Sequence, residues 1–164
     1  MSEIRIEKLI FSVFLIAAVI LFLPELGAAD FSGLIVSVLD GDSIEVLQNQ
    51  HPERTRLSGI DCPEKGQAYG KRAKQAASEL AFDKEVTIQT HSYNKYKRTI
   101  GDLILPDRIN LNQGLVRQGW RWRYRKYAPG DTVLEEQEME ARGSRIELWA
   151  DPQSVPPWEW SKRK

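Results

Sequence analysis

Apolar positions along the chain follow two rhythms, and their order sketches an architecture. Residues 31–39 form a β-like run and the segment Asp42-Ser43-Ile44-Glu45-Val46 alternates strictly, and the Asp40-Gly41 turn signal between them predicts a hairpin. A polar turn over 48–52 leads into a third strand over 53–60, with Gly59 near its end. Beyond Pro63 the period changes. Ala73, Ala76, Ala77, Leu80 and Ala81 recur at helical spacing, which predicts an amphipathic helix burying one modest face. Extended segments return at 85–90 and 99–105, separated by a polar stretch, 91–98, that reads as an exposed loop. A short helix is expected over 109–118, closed by Gly119 in the left-handed conformation, and a last helix over 133–148. The tail after Trp149 carries Pro152, Pro156, Pro157, Trp158 and Trp160. It is expected to be non-helical and to pack back on the domain, because indoles are rarely left in water.

Five short strands, with one helix after the third and two at the end, fit a small Greek-key barrel better than a sandwich, since closure removes exposed edges. The predicted class is α+β, mainly β, with about three helices. A length of 164 residues supports one hydrophobic core. Not all of that length belongs to it: Arg5 and Lys8 precede an uncharged apolar run, 9–23, followed by Gly27-Ala28-Ala29. The run is shorter than the roughly 20 residues that span a bilayer. It reads as a signal peptide cleaved after Ala29, with an uncleaved anchor as the alternative because Glu3 and Glu7 dilute the positive flank. The expected division is 1–29 signal segment, 30–150 domain and 151–164 tail. The folded part is expected outside the cytoplasm, secreted or periplasmic after cleavage and membrane-anchored without it.

Charge narrows the picture further. The 23 basic residues equal the 23 acidic ones, and removing 1–29 takes Arg5 and Lys8 against Glu3, Glu7 and Glu25, which leaves +1. An anionic ligand must therefore be held by local charge. Arg117, Arg121, Arg123, Arg125 and Lys126 crowd one stretch, and Glu135, Glu136, Glu138 and Glu140 the next; Arg121 and Arg123 either track phosphates or pair with the acidic helix. Cys62 is the only cysteine, so an internal disulfide is excluded.

The candidate chemistry begins at Asp42, which shares a strand face with Ile44 and Val46 and so stands at the rim of the core those residues line. Alone it would be turn chemistry. The segment from Arg56 to Glu64 adds a basic residue, Asp61, Glu64 and a proline within nine positions. Pro63 holds Cys62 extended, which frees its carbonyl to face a cation. Two aspartates and a carbonyl make an oxygen site suited to a hard ion, calcium before magnesium, while His51, His91 and Cys62 lack zinc-ligand spacing. Strict alternation would point Arg56 and Asp61 to opposite faces, so a bulge or kink is expected at Gly59.

Asp40-Gly41-Asp42, Arg56, Asp61-Cys62-Pro63-Glu64 and Tyr96-Lys97-Arg98, followed by the stretch Asn112 to Gly119, resemble the staphylococcal nuclease (thermonuclease) signature in order and spacing over nearly the whole mature chain. The resemblance implies a five-stranded OB-fold barrel that hydrolyses DNA and RNA, at single-stranded or flexible regions, with the 5′ oxygen leaving and a 3′-phosphate remaining. It implies one calcium ion held by Asp42, Asp61 and the Cys62 carbonyl, Glu64 acting on the attacking water, and Arg56 and Arg98 clamping the phosphate. Tyr96 and Tyr127 match positions where the family places aromatics beside the nucleotide; Arg125 replaces a tyrosine there. No protein partner is implied and a monomer is expected. The rival reading is a noncatalytic OB module that binds nucleic acid without cutting it. Lys97 stands where the family usually has glycine, so a positive φ there would strain the Arg98 loop. Glu147 likewise falls where relatives carry glycine, while Gly143 lies inside the predicted helix, which predicts a frayed helix end.

Overall fold

The computed structural model describes residues 28–163, so almost all of the predicted signal segment, 1–29, lies outside the described residues. Strands β1 (Phe31–Val38), β2 (Ser43–Gln48), β3 (His51–Leu57), β5 (Glu85–Tyr93) and β6 (Thr99–Ile104) close into a barrel of order β1-β2-β3-β6-β5. Its neighbours are antiparallel except β3 and β6, which close the barrel in parallel through Thr55↔Thr99, Arg56↔Ile100 and Leu57↔Gly101. The five-stranded barrel of the sequence reading is present. Its interior is lined by alternating strand positions, among them the Ile44 and Val46 of that reading: Ile35, Ile44, Val46, Leu57, Ile88 and Leu103 are each at most 1% exposed.

Three boundaries differ, each for a physical reason. The third strand stops at Leu57, because Gly59 takes φ 68 and turns the chain out of the barrel into β4 (Ile60–Asp61). There β4 pairs with β7 (Trp122–Arg123) in a separate two-stranded sheet. The fifth strand runs past residue 90 to Tyr93, since a register shift between Thr90 and Ser92 lets Ser92 and Tyr93 continue pairing with β6 in what reads as a polar loop. The last long helix ends at Gly143 rather than 148. Arg145 and Glu147 both have positive φ, 50° and 46°, and a 3₁₀ turn over Glu147–Ala150 follows.

Helix α1 (Gly70–Ala81) buries Ala73, Ala76, Ala77 and Ala81, the stripe that the sequence displays, with Ala77 and Ala81 in the barrel core. Helix α2 (Leu111–Arg117) is capped by Asn110, whose side chain accepts from the Gln113 N–H, and is followed by Gly119 at φ 75 as expected. Helix α3 (Thr132–Gly143) starts on the Asp131 side chain, which accepts from the Leu134 N–H at 2.9 Å.

The tail corrects an expectation. Pro157–Trp160 is a short helix, α4, permitted because Pro157 occupies the first turn, where its missing N–H has no intrahelical partner to lose. Trp158 stacks on Tyr124 with ring centroids 5.1 Å apart and planes 9° apart. Beneath it Trp122, Ala141, Leu148 and Trp149 form a second small core, with Trp122 and Trp149 edge to face at 5.2 Å. This core anchors β7, and through β7 the strand that carries Asp61.

Candidate active site

Asp42 is 3% exposed at the barrel rim, directly before β2. Its backbone N–H donates to Asp40 Oδ1 at 3.0 Å, an Asx turn that fixes the hairpin, and its carbonyl accepts from the Leu57 N–H at 2.8 Å. A side chain at Gly41 would be impossible: a Cβ there would lie 1.8 Å from Cys62 Sγ and 2.6 Å from Arg121 Nη2. The Asp42 carboxylate uses both oxygens. Oδ1 pairs with Arg56 Nη1 at 2.8 Å, and Oδ2 accepts from the Cys62 N–H at 2.9 Å.

Arg56 projects from β3, and its other nitrogen, Nη2, reaches Asp61 Oδ1 at 2.7 Å. One guanidinium thus bridges two aspartates from different elements, a contact made possible by the turn at Gly59, which carries Asp61 back toward β3. A Cβ at Gly59 would meet Leu134 Cδ1 at 2.9 Å, a second reason for glycine.

Burial dominates the electrostatics. It pushes the Asp42 carboxyl up to about 7; Arg56 works against it, and Asp40 and Asp61 add to it. Asp61 is raised for the same reason, with Arg56 again opposing. Burial disfavours the charge of Arg56, yet Asp42 and Asp61 outweigh it and raise the guanidinium above its ordinary value. Two close carboxylates facing one cation leave a negative charge unmatched in a poorly solvated place. No group of three His, Cys, Asp or Glu side chains suited to a metal stands together among the described residues. The Asp42 and Asp61 oxygens are of the kind a hard cation takes, although both oxygens of Asp42 and Oδ1 of Asp61 are engaged as they stand.

Glu64 lies in the tight turn between β4 and α1. Its N–H donates to Gln67 Oε1 at 3.0 Å, its carbonyl accepts from the Gln67 N–H at 2.9 Å, and its carboxylate Oε1 accepts from the Ser161 hydroxyl. Arg98 leaves the turn between β5 and β6. Lys97 there does have positive φ, 59°, and Asn94 steadies the loop by accepting the N–H groups of Tyr96 and Arg98 on its side-chain oxygen at 2.9 and 3.0 Å. The Nε of Arg98 is buried and has no hydrogen-bond partner among the described residues.

Arg56 and Arg98 line one cleft of about 720 Å³, with His91, Asp102, Tyr124 and Tyr127 among its other walls. Tyr127 thus lines the same cleft as both arginines. Tyr96 is exposed, its ring centroid 6.0 Å from the Arg98 guanidinium. Arg125 lines a neighbouring cleft with Lys126, Trp158 and Lys162.

The arginines left open by the sequence are structural. Arg121 is 0% exposed and donates to the carbonyls of Gly41, Ala73 and Trp120; burial lowers its pKa. Arg123 pairs with Glu135 at 2.9 Å and donates to the Ala128 and Pro129 carbonyls. Sequence reasoning missed Arg121 as the strut behind Gly41. Its position between Trp120 and Trp122, in an otherwise buried stretch, was the available signal.

Across residues 54–151 the chain matches the sequence model of the staphylococcal nuclease homologues. The chain belongs to the staphylococcal nuclease family. Membership makes it a nuclease, and the constellation around Arg56 sits inside the matched segment except for Asp42. Among similar proteins, a micrococcal nuclease of Shigella flexneri is 41% identical over 155 residues, covering 89% of each chain. An uncharacterized endonuclease of Escherichia coli O157:H7 is 42% identical over 136 residues, 83% of this chain and 88% of its own. Protein ParB of Escherichia coli is 38% identical over 143 residues, 82% and 81% of the two chains.

Proposed function

We propose that this nuclease is an exported, calcium-dependent phosphodiesterase that cleaves DNA and RNA on the 5′-oxygen side and leaves 3′-phosphates. The observation that carries the reading is the bridge from Arg56 to Asp42 and Asp61, at 2.8 and 2.7 Å, beside a cleft that Arg98 also lines. Asp42, Asp61 and the Cys62 carbonyl would hold one calcium ion, whose chemistry there is Lewis-acid polarisation of a nonbridging phosphate oxygen. Glu64 takes the proton of the attacking water. Arg56 and Arg98 donate to the equatorial oxygens as charge builds on them, a role suited to planar, permanently charged forks. The Nε of Arg98, unpartnered among the described residues, would be a donor for that phosphate, which would offset the cost of leaving it buried and unpaired in the free enzyme. Tyr127 offers a ring for base stacking, and unpaired strands are the substrates whose bases reach it.

Denatured DNA and RNA incubated with the purified domain, with calcium or with a chelator, test the reading. Cleavage that stops on chelation, and that leaves 3′-phosphate ends by end-labelling, is expected. Retained binding without cleavage would favour the noncatalytic module instead. Export rests on the apolar run 9–23 and the small residues before Asp30. Mass spectrometry of the exported product checks it, with a new N-terminus at Asp30 expected and an intact Met1 pointing to the anchored form.

A further inference from the structure

Resting on the reading of Glu64 as the base, we propose that the C-terminal tail completes the active site, and that Ser161 is a positioning residue for the Glu64 carboxylate.

Three contacts join the tail to this site, and each comes from a different part of it. Trp158 lies flat on Tyr124, whose N–H donates to the Gly59 carbonyl at 2.8 Å, so the stack bears on the turn that brings Asp61 to Arg56. Gln67 then links tail and base through its one side-chain amide: Oε1 accepts from the Glu64 N–H at 3.0 Å, and Nε2 donates to the Val155 carbonyl. Finally, Ser161 Oγ stands in hydrogen-bond contact with Glu64 Oε1 itself and with the Pro157 carbonyl at 2.8 Å. The backbone of the base and its carboxylate are therefore both tied to one segment.

A glutamate has three side-chain torsions to fix before it can meet a water in line with phosphorus, and an exposed turn does not fix them. Burial does so for Asp42, at 3% exposure, but Glu64 is only partly buried. A hydroxyl at the end of a short helix that is itself pinned by an indole stack restrains the carboxylate through its contact with Oε1. The matched family segment ends at residue 151, before all three tail contacts, so this arrangement is additional to what membership implies.

The test uses the full chain, with initial rates on a single-stranded DNA oligonucleotide at saturating calcium, in Ser161→Ala, Ser161→Thr, Glu64→Gln and the Ser161→Ala/Glu64→Gln double variant. Ser161→Ala should lower kcat about tenfold to a hundredfold, the scale of a misplaced reacting group, with KM within about twofold. Ser161→Thr, which keeps the hydroxyl, should recover most of the loss. In the Glu64→Gln background Ser161→Ala should do nothing more, because a positioning residue has no effect once its client is gone. The inference is overturned by unchanged kcat in Ser161→Ala, by a loss confined to KM, by an equal further loss in the double variant, or by a faster Ser161→Ala, which would mean that the tail masks Glu64. Full activity in Glu64→Gln overturns the reading of Glu64 itself, and the inference with it, whatever Ser161 does.

Discussion

At the scale of single residues, Arg56 and Arg98 share a proposed role yet stand in opposite circumstances. Arg56 is locked between two carboxylates, whereas Arg98 has a buried nitrogen with no partner among the described residues. Replacing either with alanine should cost roughly 100-fold to 1000-fold in rate. Stability should separate them. Arg56→Ala leaves buried carboxylates uncompensated and should lose about 3 to 5 kcal/mol without calcium, part of which calcium restores, while Arg98→Ala should leave Tm nearly unchanged. Thermal melts with and without calcium decide this, and equal losses in both variants would refute the distinction. Asp42 adds a pH signature. Its folded pKa lies near 7, above the unfolded value, so between about pH 4 and 7 the native state holds a proton that the unfolded state has released. Its contribution is fully present below the unfolded value and is lost as pH rises toward 7. In chelator, denaturant titrations should therefore show wild-type stability falling over that window relative to Asp42→Asn. If calcium binds the carboxylate form as proposed, saturating calcium should cancel the fall.

At the scale of elements, the decisive feature is the turn at Ser58 and Gly59, where the barrel strand gives way to the small sheet. Gly59→Ala should cost about 1 to 2 kcal/mol for its positive φ, more for the clash with Leu134, and should lower kcat beyond what the Tm loss explains, because Asp61 moves away from Arg56. Lys97→Gly is the converse. It relieves a left-handed lysine and should stabilise by up to about 1 kcal/mol with kcat intact, measured by chemical denaturation alongside activity. These two turns also mark what was legible in the sequence and what was not. The requirement for a kink could be read from alternation, which sets Arg56 and Asp61 on opposite faces unless the chain bends. The strained Lys97 could be read from its departure from the family's glycine. The role of Asn94 could not, since accepting two N–H groups on one amide is a tertiary arrangement with no periodic trace. The short helix at Pro157 was hidden for another reason: proline breaks helices inside and starts them at the end, and spacing alone does not say which position it holds.

At the scale of the whole molecule, the near-neutral charge has a kinetic meaning. Without a broad basic surface, binding should rest on the arginines of the cleft and one further cation at most, so log KM against log salt on single-stranded DNA should rise with a slope of about 1.4 to 2.1, as expected for two to three phosphates. A slope near 5 would reveal a wider track, the cleft of Arg125, Lys126 and Lys162 being the first place to look. The barrel and its three longer helices followed from pattern and spacing, as did the need for a turn at Gly59 to bring Asp61 to Arg56. What pattern could not supply was the inside of the site, where Arg121 serves as a strut and the tail touches Glu64, because both are contacts between segments tens of residues apart.

The parallel seam between β3 and β6 joins residues more than forty positions apart, and it also sets Arg56 opposite Ile100, two residues beyond Arg98. Pairings of that span are costly to close and tend to form after local hairpins. The two arginines come to line one cleft only when this seam shuts. A half-folded chain, however well its first hairpin is formed, would lack the clamp proposed for Arg56 and Arg98, so cutting should demand that the seam be closed.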